Sequence, residues 1–151
     1  MPAATPARIS TAVLSAVDAA RAGNADDFAE AVSDVNALDQ SRLTLVLAGI
    51  IRSVLEILHP DGLDGDDVQD ALTDTAKQNS WYPGLQPEAV GEVLLGALGV
   101  LAPEDVKTAS AFNAHAALVI STLSSKQPVP LSRLVERELA EIRRAETMEM
   151  P

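Results

Sequence analysis

The chain has two histidines and no cysteine, so few of its side chains can gain or lose a proton near neutral pH and none can act as a thiolate. His59 stands directly before a proline, at the end of an apolar helical stretch, where the helix dipole favours an imidazolium. His115 lies among alanines with no carboxylate three or four residues away, and we expect it to be half-buried and hydrogen-bonded. No HExxH spacing is present. Neither histidine therefore predicts a metal or acid–base site.

Carboxylates crowd residues 59–67, the stretch of the sequence nearest in composition to a calcium loop. An EF-hand loop needs oxygen ligands at its early odd positions, glycine at the sixth and a bidentate glutamate at the twelfth. With Gly65 in the sixth position the twelfth is Ala71, and with Gly62 in the sixth position it is Val68. The stretch therefore predicts a helix end, a glycine turn and an acidic helix cap rather than a metal site.

Other patterns that support catalysis are missing from the sequence. The glycines at positions 91, 96 and 99 lack the Lys-Ser/Thr of a phosphate-binding loop, and there is no Gly-x-Ser-x-Gly elbow. Glu88 and Glu92 lie four residues apart, but paired carboxylates on an exposed helix usually form a solvated face. We therefore expect a protein that is not an enzyme, with no catalytic residue, no cofactor and no metal.

Acidity is the strongest functional feature of the sequence. The net charge is −11, and the whole excess lies in residues 1–125, whereas residues 126–151 are neutral. Seven carboxylates fall between Glu56 and Asp74 with no Lys or Arg among them. Phosphate-rich partners require the opposite charge, so the sequence argues against nucleic acids and anionic membranes as partners. A basic protein partner fits this charge.

The candidate partner-binding residues combine the acidic stretch with the only tryptophan and the only tyrosine of the chain. These two aromatic residues share a loop, where amphipathic rings can either anchor a partner or fill a gap between helices. The predicted binding residues are Asp61, Asp64, Asp66, Asp67, Asp70, Asp74, Trp81 and Tyr82.

Helical periodicity recurs along the whole chain, and no period-2 strand pattern interrupts it. Prolines and glycines divide the chain into about seven helices, with N-caps suited to Asn24, Asp39 and Asp64. We expect the sixth helix to begin at Pro103, and a seventh, amphipathic helix to run from about Leu131 to Glu146. The predicted fold is all-α, with the helices arranged as antiparallel αα-hairpins in a bundle.

Acidic pairs recur at the predicted starts of three helices, at intervals of about 40 residues, which is the period of HEAT-like repeats. A short HEAT-like solenoid is therefore an alternative to a plain bundle. Three αα-hairpins would form an acidic core over residues 1–125. Residues 126–151 would add a proline-marked linker and the terminal helix, as part of the same domain. That helix either docks on its own core or, through Leu131–Glu146, forms a homodimer.

The sequence thus predicts a non-catalytic protein-interaction module that presents an acidic helical face to a basic partner. The alternative is a small-molecule-binding helical sensor with an apolar pocket near His115. The first residues lack the basic and apolar regions of a secretory signal, and no apolar stretch is long enough to span a membrane. We expect a cytoplasmic location.

Overall fold

The computed structural model describes the backbone of residues 6–149 and the side chains of residues 6–148. Residues 6–149 form seven α-helices, two short 3-10 turns and no strand, which confirms the all-α prediction. The helices are α1 (Pro6–Ala22), α2 (Ala25–Asn36), α3 (Gln40–Leu58), α4 (Gly65–Gln78), α5 (Pro87–Ala97), α6 (Phe112–Ser124) and α7 (Leu131–Glu149). The 3-10 turns are Pro103–Asp105 and Ala109–Ala111.

Three helices begin at the caps that the sequence predicts. The side chains of Asn24 and Asp39 accept backbone N–H groups at the starts of α2 and α3. Asp64 accepts the N–H of Asp67, and the Asp67 carboxylate accepts the N–H of Asp64, so α4 begins with a reciprocal capping box. These bonds satisfy donors that have no partner inside the helix.

Helix α6 forms the centre of the bundle. It contacts α1, α2, α3, α4 and α5, and every residue from Ala114 to Ser124 is buried. The repeats of a solenoid contact only their neighbours in sequence, whereas here α6 packs against α1 as well as α5. The architecture is therefore a bundle built around α6, and α4 packs on α5 and α6 rather than mainly on α3.

The prediction that the sixth helix begins at Pro103 is wrong, because α6 begins at Phe112. Residues Pro103–Asp105 form only a 3-10 turn, and Val106 after them is extended. The N–H groups of Lys107 and Thr108 donate to the Glu92 carboxylate of α5 instead of to carbonyls within a helix. With this start displaced, only one of the two intervals of about 40 residues remains.

Helix α7 docks on its own core, against α1 and α3. Leu131, Leu134 and Val135 of its apolar stripe are buried, and the Glu138 carboxylate accepts a hydrogen bond from the Ser53 hydroxyl of α3. Near the end of α7, Glu146 forms an ion pair with Arg42 at 2.8 Å. Because the apolar stripe is covered in this way, a homodimer through α7 would have to use its outer face.

Candidate functional site

His115 lies on α6 and is fully buried, not half-buried as expected. Its Nε2 accepts the backbone N–H of Gln86 at 2.9 Å, so its Nδ1 carries the proton and donates to the carbonyl of Ala111 at 2.8 Å. Burial lowers the pKa of His115, and the hydrogen bond to Ala111 opposes that shift. The neutral imidazole thus joins α6 to the start of α5. A ligand at His115 would have to displace one of these backbone partners.

Trp81 and Tyr82 lie in an aromatic cluster in the interior, which also contains Phe28 of α2. Both rings meet Phe28 edge-on, with ring centroids 5.4 Å away for Trp81 and 5.1 Å for Tyr82. Tyr82 also lies 6.0 Å from the His115 ring. Trp81 covers the turn between α1 and α2 at Gly23, whose φ of +68° favours glycine. Both side chains remain partly exposed, so only part of each ring is open to solvent.

The six predicted aspartates divide into two groups in the structure. Asp64 and Asp67 form the capping box, and Asp67 also lies 3.6 Å from Nδ1 of His59. Asp74 forms an ion pair with Lys126. The other three have no hydrogen bond or ion pair through their carboxylates among the described residues; these are the free aspartates Asp61, Asp66 and Asp70.

The predicted acidic and aromatic residues do not form one compact site. Asp66 lies in the first turn of α4, whereas Trp81 and Tyr82 follow its last residue. A helix of 14 residues is about 20 Å long. The structure therefore separates Asp61 and Asp66 from the rings by most of the length of α4, and Asp70 by little more than half of it.

Instead, the acidic end of α4 lies beside an apolar groove that the sequence analysis missed. This α4/α5 groove has a volume of about 470 Å³ and runs between the first half of α4 and the last half of α5. Its apolar lining residues are Leu63, Val68, Leu72, Leu95, Leu98 and Val100, with Gly91 among them. Asp64 and Gln69 supply polar atoms at its edge.

Negative charge is concentrated in a segment of the sequence that includes all the residues of the groove. From Ser53 to Val106 the sequence has eleven Asp or Glu residues and one lysine, which accounts for ten of the eleven net negative charges. Within the described residues, Asp74 is the only carboxylate of this segment that is paired with a Lys or Arg side chain. The apolar groove thus lies within the most acidic segment of the chain, and Asp64 is the carboxylate in its lining.

A larger groove, of about 760 Å³, lies between the start of α1 and the second half of α7. Its lining combines small polar and apolar side chains with charges of both signs, from Glu136, Arg143 and Arg144. Pro6, where the described chain begins, forms part of its wall. None of the predicted binding residues lines this groove.

Neither a metal cluster nor a membrane-spanning helix occurs in the described part of the chain. Across that part, no three His, Asp or Glu side chains are grouped so that they could hold a metal ion. No helix there is long and apolar enough to cross a bilayer.

Glu92 has a structural role that its spacing from Glu88 did not predict. Its carboxylate accepts the N–H groups of Lys107 and Thr108, each at 2.8 Å, and also the Thr108 hydroxyl. These bonds, chiefly the one from the Thr108 hydroxyl, lower the pKa of Glu92. The carboxylate therefore holds the segment between the 3-10 turns against α5.

Replacing Glu92 with glutamine is expected to release this segment, because an amide group cannot accept all three hydrogen bonds as a carboxylate does. Hydrogen–deuterium exchange should become faster at Lys107 and Thr108. Glu88→Gln is the matched control, since Glu88 is exposed on the same helix, and it should leave exchange unchanged. Since the native carboxyl has a lowered pKa, its contribution to stability is complete above pH 4.5 and is lost on acidification. Unchanged exchange in Glu92→Gln would contradict the assigned role.

No family model, curated protein or solved structure matches this chain.

Proposed function

We propose that this protein is a non-catalytic interaction module that presents the acidic surface of α4 and its neighbouring turns to a basic protein partner. The observation that carries the proposal is the concentration of ten of the eleven net charges in residues 53–106. Charge that served solubility alone could be spread over the whole surface. Concentrated like charge destabilises a fold by self-repulsion, and a basic partner would relieve that repulsion.

The free aspartates Asp61, Asp66 and Asp70 are the part of this surface best suited to a partner. All three are exposed, and no internal contact of their carboxylates has to break when they bind. The other three carboxylates, of Asp64, Asp67 and Asp74, already have partners within the fold. They contribute negative electrostatic potential to the surface but are less available for direct contact with a partner. Trp81 and Tyr82 can offer only the exposed parts of their rings, so the proposal rests on the carboxylates.

Capture from an extract of the native host tests the proposal. We expect the triple variant Asp61→Lys, Asp66→Lys and Asp70→Lys to lose the proteins that the wild-type chain retains at low salt, because attraction becomes repulsion. Since the capping box is intact in this variant, α4 should remain folded. Circular dichroism checks that point.

The matched control makes the same change of charge elsewhere. It combines Asp18→Lys, Glu30→Lys and Asp34→Lys, three exposed positions on α1 and α2. This control should retain the captured proteins. Equal losses in both variants would indicate a response to net charge alone, and undiminished capture by the first variant would overturn the proposal.

A further inference from the structure

We propose that the α4/α5 groove binds an amphipathic helix of the partner, with its apolar stripe in the groove and lysines or arginines along its flanks. This inference rests on the proposed function, and it adds the form of the partner and the place where it binds. It also assigns the apolar contact to the groove rather than to Trp81 and Tyr82.

The groove offers an aliphatic surface that the fold does not cover. Five of its apolar side chains are only partly buried, and Val100 at its edge is 72% exposed. Gly91 adds no side chain to the lining, and a Cβ there would lie 3.4 Å from Cδ1 of Leu72. Such exposure of a large apolar side chain is unusual in the described part of the chain, where the other examples are Leu45 and Met148. Apolar surface of this kind gains free energy when a partner covers it.

The length of the groove fits a short helix. Along α4 it extends from Leu63, just before the helix, to Leu72, which is about 14 Å at the rise of an α-helix. That length equals two to three helical turns, enough for apolar anchors at positions i, i+3 or i+4, and i+7.

The lining also favours a helix over an extended peptide. An extended segment needs hydrogen-bond partners for its backbone, as in strand addition to a sheet edge. The described chain contains no strand, and the groove walls are two helices whose backbones bond within themselves. An incoming helix satisfies its own backbone, and it therefore needs only apolar side chains toward the groove.

Charge identifies which amphipathic helix fits. The two walls and their adjoining turns belong to the segment that holds eleven carboxylates and one lysine. A helix with basic flanks would be attracted to this surface, and one with acidic flanks would be repelled. The groove between α1 and α7 has no such preference, because it presents both signs of charge.

A synthetic peptide tests the inference with the full chain. The probe is a helical peptide of about 14 residues, long enough for some helix to form, with a leucine stripe and lysines on both flanks. A scrambled peptide of the same composition keeps the charge and removes the stripe. A third peptide replaces the lysines with glutamates. Binding is measured by fluorescence anisotropy, and methyl NMR spectra of the chain locate the contact.

We expect the amphipathic basic peptide to bind more tightly than the scrambled one, and to shift the methyl signals of Leu63, Val68, Leu72, Leu95, Leu98 and Val100. Val100→Ser should weaken its binding about fivefold, through the loss of part of a buried apolar side chain. Leu45→Ser is the matched control, since Leu45 is 59% exposed on α3, and it should leave binding unchanged. The glutamate peptide should not bind.

Two results would overturn the inference and differ in what they imply for the proposed function. In the first result, the two basic peptides bind equally, and their binding is unaffected by Val100→Ser but abolished by reversing the free aspartates. This result would exclude the groove as the binding site and leave the acidic surface. Binding of the glutamate peptide as tight as that of the lysine peptide would overturn the proposed function as well, because the carboxylates would then have no role.

Discussion

Replacing Phe28 with alanine is expected to lower the free energy of unfolding by about 3–5 kcal/mol, the range for deleting a fully buried phenylalanine. Phe28 is 0% exposed and is the ring against which Trp81 and Tyr82 both pack. Its loss removes two edge-to-face contacts and leaves a cavity beneath the loop that follows α4. Chemical denaturation followed by circular dichroism measures the change.

The fluorescence of Trp81 gives this prediction a second, local readout. Because Trp81 is the only tryptophan, emission from the folded variant reports directly on the aromatic cluster. We expect its emission to move to longer wavelength as the indole becomes more exposed. Phe112→Ala is the control, since Phe112 is only half-buried and has no ring contact with Trp81. Native emission in Phe28→Ala, together with a loss below about 1 kcal/mol, would contradict the central place of Phe28.

Replacing His115 with alanine is expected to lower the free energy of unfolding by about 2–4 kcal/mol. The change leaves a cavity in the centre of the bundle, and it removes the bonding partners of the Gln86 N–H and the Ala111 carbonyl. Ser121→Ala, at another buried position of α6, should have a much smaller effect. If the two variants lose similar amounts of stability, the hydrogen bonds of His115 do not join α5 to α6 as described.

The pH dependence of stability distinguishes the protonation of the His115 imidazole from the volume that its side chain fills. Since burial lowers the pKa of His115 in the folded state, the unfolded chain takes up the proton first as pH falls below 6.5. Protonation therefore favours unfolding, and wild-type stability should decrease as the pH falls below 6.5. His115→Gln should lack this component, whereas His59→Gln should keep it. Parallel pH profiles for wild type and His115→Gln would contradict a buried neutral histidine.

Local sequence signals predict the helices well where the deciding contacts are also local. Asn24, Asp39 and Asp64 cap their helices as expected, because each cap bonds to an N–H only two or three residues ahead. His59 occupies the C-cap position of α3 before Pro60, where its backbone N–H donates to the carbonyl of Leu55, and its imidazole lies beside Asp67. The all-α class follows from such signals and from the helical spacing of apolar residues.

Contacts between distant residues explain what the sequence did not predict. The segment before α6 is held by Glu92, which accepts the N–H groups of Lys107 and Thr108, 15 and 16 residues later in the chain. The burial of His115 depends on the N–H of Gln86, which precedes it by 29 residues. Neither of these two long-range contacts produces a periodic pattern in the sequence from which it could be predicted.

The candidate site was predicted in part. The acidic stretch could be read from composition, but the capping roles of Asp64 and Asp67 show which of its carboxylates remain free. The groove was missed because its lining comes from two helices and the turns beside them, and no local pattern joins Leu63 to Leu95. Only the packing of α4 on α5 shows that these residues and Val100 line one surface.

Site-specific photo-cross-linking in the native host tests most directly whether the partner binds the acidic groove. A photoreactive residue would replace Val100, Leu45 or Met148 in turn, since these are the large apolar side chains of the described chain that are most exposed. We predict a cross-linked partner at Val100 that disappears when the free aspartates are reversed, and none at the other two positions. Cross-links at Leu45 or Met148 with none at Val100 would contradict the account.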